Sequence, residues 1–456
     1  MPHLTADLGR FVAAIRYAEL PEGVLPLVRD AFTDTVGVIM VGITEPVVEI
    51  VRKTLVEPSG RQESRACLST HAVAAPDAAL LGGTAAHALD YDDQSLSGHT
   101  SAVLVPAILA EADALGSDGR DMVTAYVAGY EVWAELLRRD ANYHKKGWHP
   151  TSVIGAIAAA AAASVMRHLD AAQAATALAI AASHASGLAA NFGTMTKPYH
   201  AGLAARAGVV AARLAQAGMT AGADTLESPV GFLNAYSPAV KPYDAESAVR
   251  VGSEWYLLRQ RLCIKKYASC YFMHRSFDTT IRMLAGRGLT AQDIDRIEVT
   301  MGAGQTTVLA NHRPRTGLEA KFSEHFAMAA AVILGSLGVE VFTDAVVQRA
   351  DIQAFFPKVV LISVDEYDTR DPAHSPTERV VVHLVNGEKI DSGLIRSLKG
   401  HADDPMNQQE LWEKFRLCTQ ATHDEQDARL LFDILQDVDR LRCASDIPSC
   451  TRLFRS

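Results

Sequence analysis

Thr151-Ser-Val-Ile-Gly-Ala-Ile-Ala-Ala-Ala-Ala-Ala-Ala-Ser-Val-Met-Arg167 is the stretch whose reading decides the fold. Alanine is the strongest helix former, and from Val153 to Met166 no charged residue interrupts the run. A helix that is small and apolar all round has no solvent face, so it must be buried among other helices. The same stretch is shorter than the roughly 20 apolar residues a membrane span needs. Its neighbours repeat the pattern. Residues 170–189 and 199–217 are alanine-rich, and 8–19, 25–41, 72–90, 101–116 and 119–138 carry apolar positions at helical spacing. Small side chains let helices approach closely, which predicts a tightly packed all-helical domain over residues 1–262.

The pattern changes near Leu262. Arg296–Met301 and Val359–Val364 read as strands. Arg379–Val385, Asn386-Gly387 and Glu388-Lys-Ile390 read as a hairpin with a type I′ turn. Helical patterns at about 273–287 and 321–336 lie among the strands, so residues 263–399 are expected to form a smaller α+β domain. Residues 400–456 return to helix and are expected to complete the first domain. The fold class is therefore mainly α, a large all-helical domain with a smaller α+β one.

Composition excludes several function classes. The net charge of -10 gives no support for nucleic-acid or anionic-membrane partners. Six scattered cysteines form no C-x-x-C pair, which fits a reducing compartment and argues against a zinc ribbon. With no signal peptide pattern at the N-terminus, the expected location is the cytoplasm. The chain has no G-x-G-x-x-G, G-x-x-x-x-G-K-[ST], G-x-S-x-G or H-E-x-x-H motif. Acid–base chemistry without a cofactor is what remains.

Three stretches place ionisable groups directly ahead of helix patterns: Asp90-Tyr-Asp-Asp-Gln-Ser-Leu-Ser-Gly-His99, Lys146-Gly-Trp-His149-Pro-Thr-Ser, and Thr194-Met-Thr-Lys197-Pro-Tyr-His200. Helix starts favour negative charge, so three of them carrying His, His and Lys suit a small carboxylate substrate. The dipole disfavours imidazolium at His99, which keeps a base available, and Asp90 could orient the ring. Lys197 either grips a carboxylate or serves as a second base. Each motif also has a plain reading: a solvated acidic loop around Asp90, an N-terminal flank at His149, a cationic surface at Lys197. Asp with His can bind a divalent ion, but the spacing matches no metal motif, and none is expected. Cys270 and His274 read as core rather than as a thiol dyad.

Five segments carry a family resemblance. His87-Ala-Leu-Asp-Tyr-Asp-Asp93, Gly98-His-Thr-Ser-Ala-Val-Leu-Val-Pro-Ala107, Gly147-Trp-His-Pro-Thr-Ser152, Thr196-Lys-Pro-Tyr-His-Ala-Gly-Leu-Ala-Ala-Arg-Ala-Gly208 and Lys266-Tyr-Ala-Ser-Cys-Tyr-Phe-Met-His274 together resemble the MmgE/PrpD family. That family includes 2-methylcitrate dehydratase, cis-aconitate decarboxylase and iminodisuccinate epimerase. The resemblance implies a cofactor-free enzyme, usually a homodimer, that handles a proton on a carbon next to a carboxylate of a small di- or tricarboxylate. It places the pocket on Asp90, His99, His149 and Lys197; beside these, Tyr143, Lys146, His200, Arg206, Lys266 and Gln94 are our further candidate substrate contacts. Gln94 stands where the decarboxylase branch has a threonine, and the loop from Asp90 to His99 is one residue shorter. On that ground an iminodisuccinate-like epimerase is expected ahead of a dehydratase or decarboxylase, with a non-catalytic binding protein as the other alternative. Lys197→Ala and His99→Gln are expected to abolish turnover with little change in thermal unfolding.

Overall fold

The computed structural model describes residues 3–57, 59–140, 143–237, 243–368 and 374–450. It divides into two compact units, Met1–Ala190 with Lys197–Ile264 and Met406–Ser456, and Asn191–Thr196 with Lys265–Pro405. The fold is mainly α with a smaller α+β part. The end of the expected helical tail, residues 451–456, lies outside the described residues.

The first unit contains α1 (Leu4–Ala14), α2 (Val24–Gly42), α3 (Pro46–Leu55), α4 (Ala75–His87), α5 (Thr100–Leu115), α6 (Gly119–Arg139), α7 (Pro150–Met166), α8 (Ala171–Ala182) and α9 (Thr196–Gln216). A two-residue ribbon, β1 (Ser64–Arg65) with β2 (Ala72–Val73), and α3 are additions to the sequence reading. The ribbon is too short for periodicity to show, while α3 buries Val47, Val48 and Val51 at helical spacing that the sequence reading passed over. The helix expected over 8–19 instead runs 4–14, because the chain turns extended at Ile15 (ψ 135°). Every residue of α7 is buried, as its composition requires.

Close helix contacts rest on residues without side chains. A Cβ built on Gly83 of α4 would lie 2.9 Å from the Cα of Gly202 on α9, and one on Gly202 would lie 2.3 Å from the Leu80 carbonyl oxygen. A Cβ on Gly208 would meet Ala159 of α7 at 2.4 Å. These approaches bring the end of α4 beside the start of α9. His87 and Asp90 leave α4 there, and Lys197 enters α9.

The second unit holds α10 (His274–Leu284), α11 (Glu324–Ile333) and a four-stranded sheet of β3 (Ile294–Gly302), β4 (Val359–Val364), β5 (Arg379–Leu384) and β6 (Lys389–Asp391), in the order β4-β3-β5-β6. β3 pairs parallel with β4, and the other two pairings are antiparallel. Cys270 lies in this unit's apolar core with Phe277, Ile297, Phe326 and Val382. The β5–β6 hairpin forms, but its turn is not type I′. Leu384 N–H donates to Glu388 and Gly387 N–H donates to Leu384, closing a three-residue loop in which Gly387 alone takes a positive φ (89°). Asn386 accepts from Glu388 N–H through its side chain instead of adopting the left-handed region.

The tail helices α12 (Gln408–Thr419) and α13 (Glu425–Gln436) pack on α2. Phe415 fills the space left by Gly37. Lys414, 5 % exposed, pairs with Asp34 at 2.5 Å and donates to the Tyr91 carbonyl at 2.9 Å. The tail thereby holds the loop after α4. Among the described residues no helix is long and apolar enough to cross a membrane.

Gly202→Ala inserts a methyl where backbone already sits. It should cost about 1–3 kcal/mol in denaturant unfolding, the usual penalty of overpacking. Unchanged stability would show that α4 and α9 have room to part.

Candidate active site

The chain leaves α4 at His87 and reverses at Asp90, which sits in the left-handed region (φ 53°). A second reversal, Ser95 to Gly98, puts Leu96 and Ser97 at φ 53° and 55°. Strained backbone of this kind persists only when surroundings enforce it, and it clusters at functional sites. Here Gln94 exchanges both backbone hydrogen bonds with Cys263 at 2.9 Å. The Ser95 hydroxyl donates to the Arg261 carbonyl at 2.7 Å, and the Trp133 indole donates to the Leu96 carbonyl at 3.2 Å. The loop then delivers His99 as the residue preceding α5. His149 stands in the same position before α7, and Lys197 is the second residue of α9.

These side chains form a closed ring around Asp92. Asp92 Oδ1 lies 2.9 Å from His87 Nδ1, and Oδ2 lies 2.9 Å from His99 Nδ1. Burial raises the Asp92 carboxyl, but the two imidazoles and their hydrogen bonds outweigh it and hold the group well below the usual carboxylate range. An ionised carboxylate only accepts, so both rings carry hydrogen on Nδ1 and turn Nε2 outward. His87 Nε2 accepts from Lys197 Nζ at 2.8 Å, and Nζ also donates to Asp90 Oδ1 at 2.6 Å. Asp90 Oδ1 lies 3.7 Å from His99 Nε2, which completes the circuit. His99 is its most exposed member at 12 %, so the ring opens to solvent there.

A second imidazole pair adjoins it. His149 Nδ1 lies 3.2 Å from His200 Nδ1, so one of the two nitrogens carries the hydrogen. The His149 ring is 5.9 Å from His87 and 6.3 Å from His99, centre to centre. Burial first, then the Lys197 charge and the neighbouring rings, hold His149 well below the normal histidine range. Burial, with His87 and Lys197, brings His200 down to about 4. Burial likewise lowers His87, with Lys197 adding to it against the pull of Asp92. These three rings are neutral at pH 7.

The structure thus brings together Asp90, His99, His149, Lys197 and His200. Tyr143 is fully buried, its ring 6.5 Å from Phe232 and its hydroxyl unpartnered among the described residues. Lys146 donates to the Ser237 carbonyl. Gln94 is a clamp of the loop through its backbone. Arg206 does not join the cluster: it sits nine residues beyond Lys197 on α9 and pairs with Asp77 at 3.2 Å. Lys266 belongs to the second unit, where it pairs with Asp278 at 2.6 Å. Sequence reasoning missed His87 and Asp92 as ring members. The acidic loop is not solvated either; Asp90, Asp92 and Asp93 are all buried. Asp93 turns away to accept from Ser101 at 2.5 Å, and burial with the nearby Asp34 pushes it up to about 8.

Donor atoms of His87, His99 and His149, and of His87, Asp90, Asp92 and His99, lie within 4.8 Å of one another, close enough to hold a metal ion. The Lys197 ammonium already stands on two of those donors, His87 Nε2 and Asp90 Oδ1. Asp92 occupies both Nδ1 positions. A metal would have to displace a buried cation, so the donor set fits an ammonium better.

The family model for the MmgE/PrpD N-terminal domain matches residues 6–243, and that for the MmgE/PrpD C-terminal domain matches residues 267–439. The chain belongs to the MmgE/PrpD family. Among its relatives, cis-aconitate decarboxylase of Homo sapiens is 28 % identical over 432 residues, covering 91 % of this chain and 87 % of the relative. The Mus musculus cis-aconitate decarboxylase is 26 % identical over 475 residues, covering 99 % and 93 %. The Aspergillus terreus protein of the same name is 24 % identical over 466 residues, covering 96 % and 94 %.

Lys197 is 4 % exposed and paired, which overturns the expectation that its removal leaves stability untouched. Breaking one side of a buried ion pair costs about 3–5 kcal/mol, because the other charge stays behind. Lys197→Ala should show that loss in chemical unfolding, and adding Asp90→Asn should restore part of it. No loss in the single variant, or none recovered in the double, would mean the pair contributes nothing.

His200 supplies a pH signature. Its folded value of about 4 lies below the unfolded 6.5, so acidification through that window protonates the unfolded chain first and costs stability. The stability difference between the parent and His200→Asn should shrink as pH falls from 6.5 to about 4. A difference that stays constant would contradict the neutral assignment.

Proposed function

We propose that this chain is a lyase acting on a small di- or tricarboxylate, with decarboxylation of an unsaturated tricarboxylate ahead of dehydration. The observation that carries the reading is the buried Lys197 ammonium beside a carboxylate-bound imidazole at the open point of the ring. The names of the near-full-length relatives support a lyase over the epimerase expected from loop length.

In this mechanism Lys197 and the starts of α5, α7 and α9 hold the substrate's carboxylates. The carbon–carbon bond to one carboxylate breaks, carbon dioxide leaves, and the electron pair spreads toward a remaining carboxylate. The ammonium stabilises that developing charge. His99 Nε2 then gives a proton to the carbon. Asp92, on Nδ1, holds the ring's orientation and balances the imidazolium before transfer. Being the most exposed member of the ring, His99 recovers its proton from solvent. Neutral His149, fixed by His200, orients or polarises the substrate from another side.

Epimerisation is the second reading. It needs proton-transfer groups on two faces, and His99 and His149 offer two imidazoles whose centres lie 6.3 Å apart.

Incubation with cis-aconitate, 2-methylcitrate and aspartate-derived imino acids in deuterated water, followed by NMR, separates these outcomes. The reading predicts carbon dioxide loss with one deuteron in the product, or water loss with none. It predicts that His99→Gln lowers turnover by about 10²–10⁴-fold, the usual worth of a general acid. Deuterium exchange with no loss of substrate would favour epimerisation, and inertness toward all polycarboxylates would refute both.

A further inference from the structure

A substrate carboxylate arriving at Lys197 meets an ammonium already shared by His87 Nε2 and Asp90 Oδ1. Its ammonium is bound by Asp90 at 2.6 Å, a partner of the same kind as an incoming carboxylate. Two carboxylates crowded onto one ammonium in a buried pocket repel each other. The same Asp90 oxygen already lies 3.7 Å from His99 Nε2, so a movement of about 1 Å would make that contact a hydrogen bond.

The backbone around Asp90 is built to keep still while its side chain shifts. Asp90 holds φ 53°, a conformation that costs energy in any residue with a Cβ. Lys414 on the following carbonyl and the Gln94–Cys263 pairing hold the loop in place. The fully buried Asp92 keeps His99 where it is. The Asp90 carboxylate stands between Lys197 Nζ at 2.6 Å and His99 Nε2 at 3.7 Å.

We propose that Asp90 is a stand-in for a substrate carboxylate on Lys197, and that binding exchanges the two, passing Asp90 to His99 Nε2. The exchange rests on the carboxylate-lyase reading above and adds a coupling to it. Gripping the substrate at Lys197 brings the Asp90 carboxylate to His99 Nε2, which favours a proton on that nitrogen, and this hydrogen bond opens again as the proton passes to the substrate carbon. Asp90 is thus a positioning residue. It also acts as an internal competitor, since apparent affinity falls by the fraction of molecules in which Lys197 is released. The advantage for the fold is that the buried ammonium keeps a counter-ion throughout.

Two variants test this: Asp90→Asn removes the charge, and Asp90→Gly removes the carboxylate and suits the left-handed backbone. Binding of tricarballylate, a non-reacting tricarboxylate, is measured by calorimetry on the full chain. Turnover is measured on whichever polycarboxylate the parent consumes. The exchange predicts about tenfold tighter tricarballylate binding in both variants, because the competitor is gone, together with slower turnover because His99 loses its partner. A merely structural role would weaken binding. If the parent binds tricarballylate and both variants bind it equally or more weakly, the exchange is wrong and the lyase reading stands. If the parent neither binds tricarballylate nor consumes any polycarboxylate, the lyase reading fails and takes the exchange with it.

Discussion

A buried lysine ammonium is expensive to keep, and much of the first unit is arranged to keep this one. Lys197 has surrendered most of its hydration, and His87 Nε2 with Asp90 Oδ1 stands in for the lost water. His87 can accept that hydrogen bond only with its own hydrogen on Nδ1, and Asp92 enforces this. Asp92 does the same for His99. Asp90 reaches Nζ from a left-handed turn, which in turn requires a clamped loop. The glycine contact between α4 and α9 brings the two ends of this network within reach. Each feature follows from the need to satisfy one charge.

The histidines fall into two kinds by what they touch. His87 and His99 share a carboxylate, so their tautomers are fixed and their Nε2 atoms are offered to partners. His149 and His200 face each other, with burial and the Lys197 charge keeping them neutral. A site with one carboxylate-backed imidazole near solvent and one neutral imidazole beside it suits a reaction that must supply one proton to carbon. It suits less well a reaction in which two equivalent groups trade roles.

Much of this was legible in the sequence, for reasons that differ by element. The alanine run of α7 announces a helix without a solvent face, and the three helix starts follow from cap and proline chemistry at His99, His149 and Lys197. The change of periodicity after Leu262 marks the α+β unit. His87 and Asp92 were not legible as partners, since a helix-terminal histidine and an acidic loop residue five positions apart meet only after the chain reverses at Asp90. Aspartate tolerates positive φ better than most residues, but nothing in the local sequence marks Asp90 as the position that takes it. Arg206 failed for the opposite reason: it shares a helix with Lys197, but nine residues of helical rise carry it along α9 to Asp77. The Asn386-Gly387 turn shows how local chemistry is decided by register, since a three-residue loop leaves the left-handed position to glycine alone.

The most direct test is a crystal structure of the protein with tricarballylate bound. The account predicts a ligand carboxylate oxygen at about 3 Å from Lys197 Nζ, an ordinary charge-assisted hydrogen bond, with the rest of the ligand against His99 and His149. A ligand seated away from these side chains, while Lys197 is engaged by protein groups alone, would contradict it.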